Sequence, residues 1–306
     1  MIAILLMAFG GPDSLQSIEP FLSNLMRGKK PSPDQVKKVQ ERYKLIGGKS
    51  PLLEITEEQA RNLEQRLNGE TKNYRVYVGM RYWHPYISEA VRKILHDGAE
   101  RIAGLSLSPF SSRVTTSAYL KELQEALAET DRIPYVFIEG WYKHPRFIEA
   151  LLERIREGMA HFADEEQAEV VLVFSAHSLP KEYILGGDSY VRDIGETISL
   201  VLEKLGKVNW RFGYQSRGAA AGEWLGPDVE LLLEEIAHQG KRKVLLVPIG
   251  FASDHIETLY DVDIAMRQKA EVLGLTFHRA PSLNASPKFI ETLAQLVEER
   301  VKNWEE

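Results

Sequence analysis

Short apolar runs recur along this chain, and nearly every one is followed by a segment of helical period. In the first half the runs at 3–9, 74–79, 101–107 and 135–138 alternate with helix-period segments at 15–26, 33–45, 86–95 and 115–129, and a further helix begins at Thr56. Thr56 and Gln59 have the spacing of a capping box. Strands that alternate with helices are joined by crossovers, so they lie parallel, with helices on both faces and right-handed connections. The second half repeats the order, with apolar runs at 170–174, 210–214, 244–249 and 276–278 and helices at 191–205, 229–237 and 264–273. Its closing helix opens Pro287-Lys288-Phe289-Ile290-Glu291-Thr292-Leu293, close to Pro145-Arg146-Phe147-Ile148-Glu149-Ala150-Leu151 at an offset of 142 residues. The pattern predicts an α/β protein of two similar Rossmann-like lobes, each a parallel four-stranded sheet flanked by helices. The acidic stretch 162–169 divides them into lobes 1–162 and 163–306, with the last helix free to pack back on the first lobe. A duplicated pair of lobes leaves a cleft between them, and such clefts are favoured ligand sites.

Composition narrows the function. The chain of 306 residues carries 44 acidic and 38 basic side chains, a formal charge of -6, whereas nucleic-acid binders carry a basic surplus. There is no cysteine, hence no disulfide framework, thiolate nucleophile or iron-sulfur cluster. The apolar start MIAILLMAFG lacks a basic flank and breaks at Gly10-Gly11-Pro12, so it reads as a first strand. Nothing approaches the ~18 apolar residues of a spanning helix, and a cytoplasmic protein without stable membrane insertion is the expectation.

Open parallel sheets bind ligands at the carboxyl ends of their strands. Val170 to Phe174 delivers Ser175, Ala176, His177 and Ser178 to such an end. A histidine there can take a proton or bind a borderline metal, and it can equally hydrogen-bond a loop carbonyl. The run 244–249 leads to Asp254-His255-Ile256-Glu257-Thr258-Leu259-Tyr260-Asp261. In a helix starting near Asp254, the side chains of Asp254, Glu257 and Asp261 share one face. First-turn acidic enrichment accounts for the first two, but Asp261 lies beyond that benefit. Arg27, Lys29, Lys30, Arg81 and Arg217 sit where they can meet an anion, and Phe9, Tyr82, Trp83, Phe110, Trp141 and Trp224 can pack or line a flat slot. The glycine pairs at 10–11 and 47–48 lack the spacing of dinucleotide or phosphate loops, and neither GxSxG nor HExxH occurs.

With these residues assembled, the chain resembles the ferrochelatase family, most closely its soluble Gram-positive bacterial members that act on coproporphyrin III. The likeness rests on Leu45-Ile46-Gly47-Gly48 with Ser50-Pro51-Leu52, on Gly79-Met80-Arg81-Tyr82-Trp83-His84-Pro85 and on Ser175-Ala176-His177-Ser178-Leu179-Pro180. Tyr214-Gln215-Ser216-Arg217 with Trp224-Leu225-Gly226-Pro227, and Ser253-Asp254-His255-Ile256-Glu257-Thr258-Leu259-Tyr260, extend it over essentially the whole chain. The resemblance implies that His177 and Glu257 serve one face of a porphyrin, binding ferrous iron or taking pyrrole protons, and that Asp261 begins an outward row that relays metal or holds an accessory magnesium ion. It implies porphyrin contacts from Phe9, Arg27, Lys29, Arg42, Ser50, Arg81, Tyr82 and Trp224, with Fe2+ as substrate and no organic cofactor. Partners would be porphyrin, haem product and the enzymes before and after it in haem synthesis, with no nucleic acid, and a monomer suffices because both lobes are in one chain.

Departures from the family pattern are local. Ala265 stands where the outward row is normally acidic, Phe9 where a tyrosine is common, and Met26 at a usually basic position. The stretch 218–223 also differs ahead of Trp224. Physically, an ion entering a neutral macrocycle displaces two N–H protons, so the site needs a base, an ion ligand and a surface that exposes the ring nitrogens. Coproporphyrin III, with four propionates, suits a soluble chain with a basic turn at 27–30. Protoporphyrin IX insertion, a cobalt or nickel chelatase and a non-enzymatic haem carrier are the alternatives.

Overall fold

The computed structural model describes residues 1–69, 73–128, 133–218 and 222–304. The expected helix end at Glu129 and part of the divergent stretch, 219–221, lie outside these residues. The chain forms two compact units, one from Met1–Trp141 with Asn284–Glu306 and one from Tyr142–Leu283.

The first unit is built on a parallel sheet of order β2-β1-β3-β4, with β1 Ile2–Ala8, β2 Tyr74–Met80, β3 Arg101–Ser106 and β4 Tyr135–Ile138. β1 is central and every residue from Ala3 to Ala8 is buried, which explains its uninterrupted apolar sequence. Helices α1 Ile18–Leu25, α2 Pro33–Leu45 and α3 Leu52–Leu67 come between β1 and β2, and α4 Ile87–His96 and α5 Thr116–Ala128 follow β2 and β3. A capping box does occur here, but at Ser32 and Gln35, where it opens α2. Thr56 is not a cap: α3 starts at Leu52, and the buried Thr56 hydroxyl donates to the Leu52 carbonyl one turn back, 2.7 Å away.

The second unit repeats the plan, with sheet order β6-β5-β7-β8 from β5 Val171–His177, β6 Asn209–Gln215, β7 Lys243–Pro248 and β8 Thr276–Arg279. α6 Pro145–Met159 opens it, α7 Lys181–Leu185, α8 Tyr190–Leu205 and α9 Val229–His238 follow, and α10 Arg267–Val272 precedes β8. Residues Val173, Leu246, Val262, Leu233 and Phe277 belong to its buried core.

The division falls at Trp141, earlier than the acidic stretch that the sequence marks as a boundary. α6 packs on α8 and β7, so closely that a Cβ on Gly158 would come within 2.7 Å of Leu245. The stretch Asp164–Glu169 is a short exposed turn of 3-10 helix, and Lys243 at the start of β7 holds its Glu166 and Glu169 at 3.1 and 2.7 Å. The final helix, α11 Pro287–Val301, belongs to the first unit. There Arg66 of α3 grips Glu291 through Nε and Nη2 at 2.6 and 2.9 Å, and Phe289 lies 5.9 Å from the Trp141 ring.

Candidate active site

The second unit gathers the reactive side chains at the carboxyl end of its sheet. β5 runs three residues further than its apolar run, because pairing with β6 continues to His177 opposite Gln215. Buried Ser175 donates to Gln215 Oε1 at 2.6 Å, and this bond permits two polar residues, 0% and 1% exposed, inside the sheet. Beyond β7, Gly250 passes so near β5 that a Cβ would stand 3.0 Å from the Ala176 Cα, and its N–H donates to the Ser175 carbonyl. A close approach of this kind brings the segment after β7 beside His177.

That segment is not the α-helix its spacing suggests. Glu257–Met266 is a π-helix that runs directly into α10. Each loop closes from i to i+5, and such turns concentrate at functional sites. Asp254 lies ahead of it and leaves the expected stripe, because its carboxylate is taken by Arg279 at 3.1 Å and by the Ser282 hydroxyl at 2.6 Å. Asp261 remains on the π-helix, where Oδ2 accepts from the Ser216 hydroxyl at 2.6 Å. Ser216 holds a left-handed φ of 56°, unusual for a serine and found where structure over-determines it.

His177 and Glu257 meet, with Nε2 3.3 Å from Oε1. The His177 Nδ1 donates to the Ser178 carbonyl at 2.5 Å, which turns Nε2 toward the carboxylate. Gln215 Nε2 donates to the Glu257 carbonyl at 3.4 Å, and the Tyr190 hydroxyl donates to the His177 carbonyl at 3.1 Å. His255 Nε2 stands 3.7 Å from Glu257 Oε2, while its Nδ1 donates to the Ser253 carbonyl at 3.0 Å and its ring packs 4.6 Å from Phe251.

Burial pulls the His177 imidazole down, but the Glu257 charge and hydrogen bond, with the Ser178 carbonyl, outweigh it and push the group up to about 9. Burial pushes Glu257 up, yet the His177 charge and hydrogen bond, with the nearby His255 imidazole, hold it well below the usual carboxylate range. At neutral pH the pair is therefore an imidazolium and a carboxylate. Glu257 Oε2 is buried with no hydrogen-bond partner, a lone-pair site ready for a cation or proton. Among the described residues no group of three His, Asp or Glu side chains is placed to hold a metal ion. Ala265 gives the row no further carboxylate.

The other expected contacts are dispersed. Trp224, half-buried in the second unit, forms an antiparallel bridge with Pro180 and fills the space beside Gly218. In the first unit, Phe9 is 42% exposed and its ring packs tilted 4.7 Å from that of Tyr82, over which the Arg81 guanidinium lies at 4.7 Å. Arg81 is already engaged by Glu122 at 3.1 Å and the Val114 carbonyl at 2.6 Å. Arg27 and Lys29 are exposed on the turn before α2, and Arg42 is exposed on α2. Ser50 is buried, its N–H on the Pro12 carbonyl and its hydroxyl packed against Gly11. Trp83, Phe110 and Trp141 are core, and the Trp141 indole donates to the Ser106 carbonyl. Sequence reasoning missed Ser175, Gln215 and Ser216 as supports, although each is a polar residue at the end of an apolar run, the same signal that marked His177.

Known proteins resemble this chain over most of its length. The ferrochelatase family model matches residues 1–301. A ferrochelatase of Geotalea uraniireducens is 43% identical, covering 98% of this chain and 98% of its own. A coproporphyrin III ferrochelatase of Geobacillus sp. is 37% identical, again over 98% of each chain. The sirohydrochlorin chelatase SirB from Bacillus subtilis, solved with cobalt, superposes with a TM-score of 0.61 over 99% of this chain and 96% of that one; at 12% identity this is a likeness of fold. Sequence over the full length and the two-sheet architecture lead to one statement: this chain belongs to the ferrochelatase family.

Proposed function

We propose that this ferrochelatase acts on coproporphyrin III, converting it with Fe2+ to coprohaem III, and that His177 and Glu257 carry the chemistry. The contact of 3.3 Å between an imidazole and a carboxylate with an unpartnered oxygen, at a sheet end, is the observation on which the assignment rests. Insertion forms four iron–nitrogen bonds and releases two pyrrole protons. Imidazole nitrogen and carboxylate oxygen both suit ferrous iron, and both accept protons. Glu257, held ionised, offers Oε2 to the arriving cation, whereas His177 must first give up its Nε2 proton. The approaching dication favours loss of that proton to solvent, which frees the imidazole nitrogen. Ser178 keeps the ring oriented through Nδ1.

Two observations support the tetracarboxylate porphyrin. The Geobacillus relative is named for it, and residues 27–44 hold seven basic side chains against two acidic ones in a chain of net charge -6. Exposed Arg27 and Lys29 can meet propionates. No helix among the described residues is long and apolar enough to cross a membrane. The test is anaerobic Fe2+ insertion followed by visible absorption, with coproporphyrin III and protoporphyrin IX in parallel. Faster coprohaem formation is expected. Equal or faster protohaem formation would overturn the substrate assignment, and tight haem binding without insertion of iron into either porphyrin would favour a carrier.

A further inference from the structure

A π-helix is rarely longer than one turn, because its extra residue per loop loosens the backbone. The one presenting Glu257 runs ten residues, and neighbouring strands fix it from outside. Arg279, last in β8 and with its side chain only 10% exposed, donates from Nε to Asp263 Oδ1 and from Nη2 to Oδ2, both at 2.8 Å. Its Nη1 lies 3.1 Å from Asp254 Oδ1 and donates to Ser282 Oγ at 3.1 Å. Ser282 in turn donates to Asp254 at 2.6 Å. Asp254 precedes Glu257 by three residues and Asp263 follows it by six. A single guanidinium therefore ties the loop entering the π-helix to the helix's later part, and both to the sheet.

We infer that Arg279 is a positioning residue for Glu257, setting the placement of its carboxylate against His177 by clamping Asp254 and Asp263 together. A planar fork is needed for this, since it grips one carboxylate with two bonds and still reaches the second. Without it, two part-buried carboxylates face each other without their cation and the segment between them relaxes. A reacting group displaced by about 1 Å can cost about 10²-fold in rate. Substrate recognition, by contrast, does not pass through Arg279, whose side-chain bonds go to Asp254, Asp263, Ser282 and the Ala280 carbonyl.

The inference rests on the chelatase reading above, and the test separates the two. Single-turnover insertion of Fe2+ into coproporphyrin III is compared for the native chain, Arg279→Gln, Arg279→Lys and Asp263→Asn, with porphyrin Kd from fluorescence quenching. Arg279→Gln should slow insertion at least tenfold with Kd unchanged within threefold, Arg279→Lys should recover part of the loss, and Asp263→Asn should fall in the same direction. Placed on Glu257→Gln, Arg279→Gln should change the residual rate less than twofold, because both act through one carboxylate. A fully multiplicative loss, or a Kd that weakens as much as the rate, would make Arg279 a general structural support and overturn the inference. If Arg279→Gln does not fold, Asp263→Asn, which keeps Arg279 with Asp254, carries the same comparison. A native chain that inserts iron while all three variants match it defeats the clamp alone; a native chain that inserts none defeats the chelatase reading as well.

Discussion

The two sheets share one strand order, yet only the second brings an imidazole and a carboxylate together at its strand ends. Counting along the paired registers, Leu6, Ala8 and Met80 of the first unit stand where Ser175, His177 and Gln215 stand in the second. In the first unit that corner is apolar and its strand end is followed by Phe9 and Tyr82 in ring contact. The second unit places a hydrogen-bonded serine and glutamine there, and above them an ion pair. One scaffold thus carries two different strand ends, set apart by three residues on equivalent positions and by the segment after β7. Fold is carried by buried apolar strands, function by the polar residues at their ends.

Removing the ionised oxygen should separate the units most sharply. Glu257→Gln is expected to slow iron insertion about 10²- to 10⁴-fold, whereas Phe9→Leu in the first unit should change the rate constant less than about tenfold and act on porphyrin affinity; stopped-flow absorbance reads both. A large rate loss from Phe9→Leu with unaltered affinity would break the contrast. Making the second corner resemble the first is the next test. Gln215→Met strands the Ser175 hydroxyl and should cost about 1–3 kcal/mol by urea unfolding, while Ser175→Ala with Gln215→Met should recover most of that stability but stay slow in insertion. Recovery of both would mean that the buried pair serves packing only.

The ion pair also predicts a pH signature. His177, raised to about 9 from 6.5, contributes stability that is complete below pH 6.5 and lost as pH rises through about 9. Glu257, depressed from 4.5, contributes stability that is present above pH 4.5 and lost as pH falls further. The melting temperature should therefore fall between pH 6.5 and 10 by more in the native chain than in Glu257→Gln, and calorimetry of both at the two pH values measures the difference. Parallel slopes would show that the pair adds nothing to folding. The smallest effect is expected at the basic turn: Lys29→Ala should raise KM for coproporphyrin III a few-fold and leave kcat unchanged, since an exposed ion pair is worth about 0–1 kcal/mol.

Much of this was legible in the sequence. Apolar runs gave the strands to within a few residues, and β4 and α2 begin and end where their periodicity does. His177 and Glu257 stood out because each follows such a run. What stayed hidden depended on partners distant in sequence. The π-helix cannot be read from spacing, since 257 and 261 share a face in an α-helix too, and Asp254 left the stripe only because Arg279, 25 residues later, claims it. The division at Trp141 is hidden for the same reason: the acidic stretch reads as a linker until Lys243 anchors it.

The most direct test of the central claim is single-turnover insertion of Fe2+ into coproporphyrin III by the native chain and by His177→Ala, with porphyrin binding measured on the same samples. The account predicts unchanged binding and insertion at least 10²-fold slower in the variant. Insertion at the native rate without the imidazole would contradict it.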